Sequence, residues 1–266
     1  MLAKTSTLVC VVLGAALSTA RADDAPPAAE AADGTYQLTL PKGRAVLDAF
    51  VEINLTDGNE FKPVSISPDV WYGVTDQITV GLVHSTLGRT GFIGGVGDSL
   101  CLTGTSGFCS SIYPTVGADV RYQLKPGKFV WAVDGGVYAV TTDPLAVAIK
   151  AGVVGRWQKD KLAIEAAPNL FFGVNERSVA NKETLNLPAT VLYTVAPKIS
   201  VAGQVGFSLP IEDLGDFYTV SLAVGGHYDL NESMTLNAAF ALPRIVAGVA
   251  GGVDARTFTL GGTYAF

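Results

Sequence analysis

From Gly43 to Phe266 the chain repeats one device: segments of roughly ten residues in which apolar side chains alternate with polar or small ones, separated by turn residues. In the first segment Leu47, Ala49, Val51, Ile53 and Leu55 share one face, while Asp48, Phe50, Glu52 and Asn54 share the other. In the second, Val64, Ile66, Val70, Tyr72 and Val74 oppose Ser65, Ser67, Asp69, Trp71 and Gly73. Ile112 to Leu124 is the most diagnostic. There Val116, Ala118, Val120, Tyr122 and Leu124 oppose Gly117, Asp119, Arg121 and Gln123, which puts opposite charges on one face of an otherwise apolar segment. The segments Ile78 to Leu87, Phe129 to Thr141, Leu145 to Trp157, Leu162 to Val174, Leu185 to Val195, Ile199 to Leu209, Phe217 to Leu230, Met234 to Leu242 and Arg256 to Phe266 follow suit. Together they predict about twelve strands. Helical architectures are excluded on the same ground and by 30 glycines, each costing roughly 1 kcal/mol inside a helix.

The apolar face needs an apolar partner. A mean hydropathy of +0.35 with 48% apolar and 16% charged residues excludes disorder. Past residue 22 no run approaches the ~18–20 apolar residues of a spanning helix. A soluble sandwich also has alternating strands, but not this rhythm of connections. Thr75-Asp76, Lys125 to Gly127, Gln158 to Asp160, Ala196-Pro197 and Asn231-Glu232 are tight. Between them lie the longer Thr56 to Lys62, Gly88 to Ser111, Asn175 to Glu183, Pro210 to Asp216 and Pro243 to Asp254, with Thr142 to Pro144 short. Short turns at one end and long loops at the other predict an all-β, transmembrane, antiparallel up-and-down β-barrel of about twelve strands over residues 43–266.

Aromatic residues collect at segment ends (Phe61, Trp71, Tyr72, Phe92, Tyr113, Tyr122, Phe129, Trp157, Phe217, Tyr228, Tyr264, Phe266), as membrane-interface girdles require. In the last segment Phe258, Leu260, Gly262, Tyr264 and Phe266 share a face, and this closing strand resembles the C-terminal signature of bacterial outer-membrane β-barrels. The resemblance implies an outer-membrane location amid lipid and lipopolysaccharide, with Tyr264 and Phe266 as a signal read by the barrel-assembly machinery. A narrower likeness is carried by Leu40-Pro41-Lys42-Gly43 and by Trp71-Tyr72-Gly73-Val74-Thr75-Asp76-Gln77-Ile78-Thr79. These are similar to outer-membrane proteins regarded as transporters of phenol-degradation pathways, which implies a transporter-like barrel without naming a solute.

Ahead of the barrel, Lys4, the apolar run Leu8 to Leu17 and Ala20-Arg21-Ala22 read as a secretory signal peptide over residues 1–22. Cys10 lies inside that run, where Leu8-Val9 supply no small residue for a lipidation site. Residues 23–42, rich in Ala, Pro and acids, read as a flexible periplasmic lead-in. Without Lys4 and Arg21, 16 bases face 24 acids, a net charge of −8 that argues against a nucleic-acid partner.

Little in the sequence points to chemistry. Cys101 and Cys109 enclose seven residues of the longest outer loop and read as a loop disulfide, since they lack both a C-x-x-C spacing and a nearby His. His84 and Thr86 are two apart on the lipid-facing phase, where outer-membrane lipases and deacylases place His and Ser; Thr stands in the Ser position and Ser85 faces inward, so no catalytic residue is assigned. His227 and Asp229 share the inward face, but no third ligand is fixed and neither metal nor cofactor is expected.

The inward phase is more informative. Ala132, Gly136, Ala146, Ala148, Gly152, Ala163, Ala167, Gly173, Ala202, Gly206, Ala223, Gly225, Ala239, Ala241 and Gly261 are too small to fill a twelve-stranded interior. A water-filled path follows, unless residues 23–42 or the long loop plug it. Inward charges are Asp48, Glu52, Asp69, Asp119, Asp134, Glu165 and Asp229 against Arg121, Lys150 and Arg156, an excess of four acids. They serve either as braces of the wall or as a filter favouring cations. A base at lipid-facing Val120 is expected to cost about 2–4 kcal/mol and one at inward Asp119 much less. Two function classes remain: a channel or facilitator for passive diffusion of small solutes, or a non-conducting barrel acting through its outer loops. No unusually polar strip marks the lipid face, so a monomer is expected.

Overall fold

A computed structural model describes residues 37–56, 63–95, 100–105, 112–125, 127–179, 181–212, 217–248 and 255–266. The alternation resolves into β1 (Ala45–Asn54), β2 (Val64–Thr75), β3 (Ile78–Val83), β4 (Leu100–Cys101), β5 (Val116–Lys125), β6 (Phe129–Thr142) and β7 (Leu145–Lys159). The chain continues through β8 (Leu162–Ala166), β9 (Asn169–Gly173), β10 (Thr184–Ala196), β11 (Ile199–Pro210), β12 (Thr219–Asn231), β13 (Met234–Val246) and β14 (Ala255–Ala265). One short helix, α1 (Thr86–Thr90), interrupts them. Every pairing is antiparallel, and β1 pairs with both β2 and β14, so the sheet closes on itself. With β8 and β9 counted as one interrupted strand and the two-residue β4 as an appendage of β2, twelve strands form the wall.

Closure removes the free edge that an open sheet would expose to lipid. The outer surface is a band of exposed apolar side chains, among them Val51, Val70, Val120, Val137, Ile149, Ile164, Val191, Val224 and Leu260. In water such a band would drive aggregation; in a bilayer it is solvated by acyl chains. At the tight-turn end Tyr72, Tyr122, Phe129, Tyr228, Tyr264 and Phe266 are exposed and form a girdle. Phe266 donates its amide to Ala45 O at 2.9 Å, and its ring meets Tyr264 edge-on at 4.7 Å, so the last residue seals the β1–β14 seam. Trp71 and Phe92 do not belong to a girdle. Both point inward, Trp71 against Gly81 and Phe92 against Gly206.

Several boundaries differ from the periodic reading. β3 stops at Val83 rather than Leu87, because Asp69 of β2 captures the following backbone: its Oδ1 accepts the amides of His84 (2.7 Å) and Ser85 (2.8 Å), and its Oδ2 accepts the Ser85 hydroxyl. Ser85 then caps α1 by accepting the Gly88 amide at 2.8 Å. The strand expected from Leu162 to Val174 splits at Ala167-Pro168, since Pro168 has no N–H to give the ladder. The segment expected from Ile112 begins only at Val116, and β13 runs four residues past Leu242 to Val246 by a register shift between Ala241 and Arg244.

The last residues of the lead-in are fixed, contrary to a flexible reading of the whole stretch. Leu38 N donates to Gln123 Oε1 (2.5 Å), Leu40 N to Thr79 Oγ1 (2.7 Å), Thr39 Oγ1 to Asp76 O (2.9 Å) and Lys42 N to Asp76 Oδ1 (2.9 Å). Residues 37–42 therefore lie along the inner wall at the tight-turn end, where only a glycine at 73 leaves room for the Pro41 carbonyl. Residues 23–36 and the signal peptide lie outside the described residues.

Candidate functional site

The interior has two unlike walls. On one, β5, β6, β7 and β8 carry all the inward Arg and Lys side chains of the described strands, each against an acid. Lys150 Nζ is 2.7 Å from Asp119 Oδ2 and 2.9 Å from Asp134 Oδ2. Tyr138 donates its hydroxyl to Asp119 Oδ2 at 2.5 Å, and Arg121 reaches Asp134 at 3.6 Å. Lys150 and Asp119 are 3% and 2% exposed, so this is an ion cluster withdrawn from water and viable only because its charges balance. Arg156 and Glu165 face each other at 3.9 Å in a more open setting. Behind the cluster, Tyr138, Val83, Ala148 and Phe171 form an apolar core on which Trp71 and Val140 pack. The cluster corrects the expectation for Asp119: a base there would stand beside Lys150 in a buried site, so the substitution is costly too.

The other wall, β12 round to β2, carries Asp229, Asp48, Glu52 and Asp69 together with His227. These acids accept from neutral donors: Asp229 from Thr235 Oγ1 (2.8 Å), Asp48 from Thr263 Oγ1 (2.6 Å), Glu52 from Gly95 N (2.7 Å) and Asp69 from the 84–85 backbone and Ser85. Asp48 and Asp69 sit directly opposite in the β1–β2 register. The whole acid excess of the strands therefore stands on one wall. α1 adds one base inside the barrel, Arg89.

The long loop expected outside turns into the barrel over residues 84–95. Asn169 Nδ2 donates to Thr90 O (2.8 Å), Lys150 Nζ to Gly88 O (3.4 Å) and Gln204 Nε2 to Gly91 O (2.9 Å), while Gln204 Oε1 accepts from Ile93 N (2.6 Å). The segment thus crosses from β2 past β9 and β11 and returns to Glu52 of β1. At Gly94, with φ of 78°, a side chain would be strained and would overlap Ala241 and Thr257, so glycine alone permits this approach. What remains open is a chamber of about 450 Å³. Its lining includes Asp48, Phe50, Glu52, Arg121 and Glu165, together with Leu192, Ala202, Gly225 and Ala239 of β10 to β13.

Other residues singled out by sequence take different places. His84 is buried, not lipid-facing: its Nδ1 is 2.6 Å from Pro68 O and its Nε2 2.9 Å from Tyr113 Oη, while Thr86 begins α1. The His84–Thr86 pair is therefore not assembled on a strand face. His227 lines the chamber. Among the described residues no group of three His, Cys, Asp or Glu is placed to hold a metal. Cys101 is disulfide-bonded, and Cys109 lies outside the described residues. Sequence reasoning missed Tyr138, which donates to Asp119, and Gln204 and Asn169, whose role depends on the inward loop; the signal for the latter two was the apolar Leu87, Phe92 and Ile93 in a loop expected to meet water.

No protein-family model matches the sequence, and no curated protein matches it. Solved structures do. The chain is similar to the NanC porin (TM-score 0.59, 10% identity, 82% of this chain and 98% of that one) and to the KdgM porin in complex with disordered oligogalacturonate (0.56, 10%, 83% and 99%). It is also similar to the COG4313 outer membrane channel of Pseudomonas putida F1 (0.54, 13%, 86% and 97%). The chain therefore has the fold of the bacterial outer-membrane β-barrels.

Proposed function

From that fold, we propose that the protein is a monomeric outer-membrane channel for passive diffusion of small solutes, with a preference for cations, and not an enzyme. One observation carries the reading. The open chamber is lined by four carboxylates, Asp48, Glu52, Asp69 and Glu165, and one guanidinium, Arg121, so acids outnumber Arg and Lys on its surface. A permeating ion then passes these carboxylates at close range in a low-dielectric wall, where an excess of one sign of charge concentrates the opposite sign. The same acids argue against an anionic solute such as the oligogalacturonate of the KdgM porin structure. Residues 1–22 act as the secretory signal, and Tyr264 and Phe266 as the mark read by the assembly machinery before the barrel meets lipid and lipopolysaccharide.

The test is the reversal potential of the reconstituted protein across a KCl gradient. Cation preference is expected, strongest at low salt, where the Debye length reaches ~30 Å at 0.01 M. Replacing Asp48, Glu52 and Asp229 by their amides should abolish most of it. A reversal potential indifferent to salt and to these substitutions would assign the acids to bracing, and absence of conductance would leave the barrel a structural one.

A further inference from the structure

The chamber is not lined by charge alone. Phe50 projects into it from β1 between Asp48 and Glu52, two residues to either side and on the same face. Its ring packs on β14 at Gly261, where any side chain would collide with it, and it lines the chamber. Among the described residues that ring has no aromatic or cationic partner. Trp71, diagonal to Asp48 across the β1–β2 pair, lies likewise on Gly81, but Arg121 already stands 6.0 Å from its centroid. The Asp48 carboxylate is only half used: Thr263 donates to Oδ1, and Oδ2 has no partner among the described residues. An aromatic face beside an unengaged carboxylate, in a cavity of about 450 Å³, matches how proteins hold organic ammonium groups, by cation–π attraction backed by a charge.

Building on the channel reading, we propose that the chamber retains small organic cations: the cationic nitrogen lies against Asp48 Oδ2 and the apolar body against Phe50, so such solutes are favoured over inorganic cations of the same charge. Thr259, Thr263 and Asn237 complete a neutral polar rim that satisfies water or amine hydrogens without adding charge. The carboxylate supplies sign selection, and the ring supplies the discrimination between a hydrated potassium ion and an alkyl- or arylammonium that sheds water readily.

The experiment uses the full mature chain in planar bilayers, with phenyltrimethylammonium and tetramethylammonium as probes of a potassium current and binding of the same probes to the detergent-solubilised barrel by calorimetry. Phenyltrimethylammonium is expected to block and bind about fivefold or more tightly than tetramethylammonium. Phe50→Leu, which keeps apolar bulk and removes the π face, should erase most of that gap and leave potassium selectivity intact. Asp48→Asn should weaken both probes. Equal affinity of the two probes, or a gap that survives Phe50→Leu, overturns the proposal while cation preference over chloride still stands. Loss of cation preference with retained, Phe50-dependent binding instead overturns the channel's selectivity and keeps the site. Heat-modifiable migration of each variant confirms a folded barrel before either readout is scored.

Discussion

Replacing Lys150 by Met separates the two walls. Lys150 Nζ lies within 2.9 Å of Asp134 and 2.7 Å of Asp119, and the three side chains are at most 5% exposed. Deleting the cation leaves Asp119 and Asp134 to share Arg121, which reaches only Asp134 at 3.6 Å, and breaking such a buried pair by removing one partner costs about 3–5 kcal/mol. The lost Nζ contact to Gly88 O loosens the root of the inward segment as well. Arg156→Met is the control: the Arg156–Glu165 pair spans 3.9 Å between side chains 29% and 35% exposed, and a pair of that kind contributes about 0–1 kcal/mol. Urea unfolding of the barrel in lipid vesicles, followed by tryptophan fluorescence, measures both. The double variant Lys150→Met with Asp119→Asn should regain much of the loss, because it leaves the Arg121–Asp134 pair as a balanced cluster. If Lys150→Met unfolds at the wild-type urea concentration, or falls no further than Arg156→Met, the cluster is not the brace inferred here.

Gln204→Leu removes the clamp on Gly91 and Ile93, and should raise single-channel conductance or its open-state noise while leaving the barrel folded. Deleting Phe266 removes both the girdle contact with Tyr264 and the tie to Ala45, so outer-membrane levels of the protein should fall in a cell-fractionation blot. In the outer loops Arg177 holds the Glu183 carboxyl down to about 2, at NH1–Oε1 2.5 Å. A carboxyl lowered in the folded state keeps its contribution above the ordinary value of about 4.5 and loses it as pH falls toward about 2. The clasp should therefore remain ionised at pH 4, and Arg177→Gln should return Glu183 to the ordinary carboxylate range in an NMR titration.

The barrel was legible because lipid imposes a strict rule on every second residue. A strand such as β5 admits one register in which Val120 meets acyl chains and Asp119 does not, and local sequence fixes which. The inward turn after Val83 was not legible by the same means. Period-two continues through His84 and Thr86, and what overrides it is Asp69, fifteen residues earlier, accepting two consecutive amides. Nor does alternation reveal that Gln204 and Asn169 meet the 90–93 backbone, since those contacts span more than seventy residues. The segregation of charge was available in part: in an up-and-down barrel, order along the chain is order around the wall, and the inward bases Arg121, Lys150 and Arg156 fall on β5 and β7.

On the proposed channel reading, bracing and filtering belong to different walls. Acids within 4 Å of a base lose most of their field outside the pair, so Asp119, Asp134 and Glu165 contribute rigidity and little long-range potential. Asp48, Asp69 and Asp229 accept hydrogen bonds from neutral donors, which fix their geometry without cancelling their charge. A barrel that spread the same ten charges evenly would be braced everywhere and selective nowhere. The small residues Ala202, Gly225 and Ala239 line the same chamber as Asp48, Glu52 and Asp69, so open space and acid excess lie together. Asp69 belongs to both functions, since the same carboxylate that adds negative potential also anchors α1. Asp69→Asn should therefore shift the reversal potential toward anions and also destabilise the inward turn, whereas Asp229→Asn should do only the first.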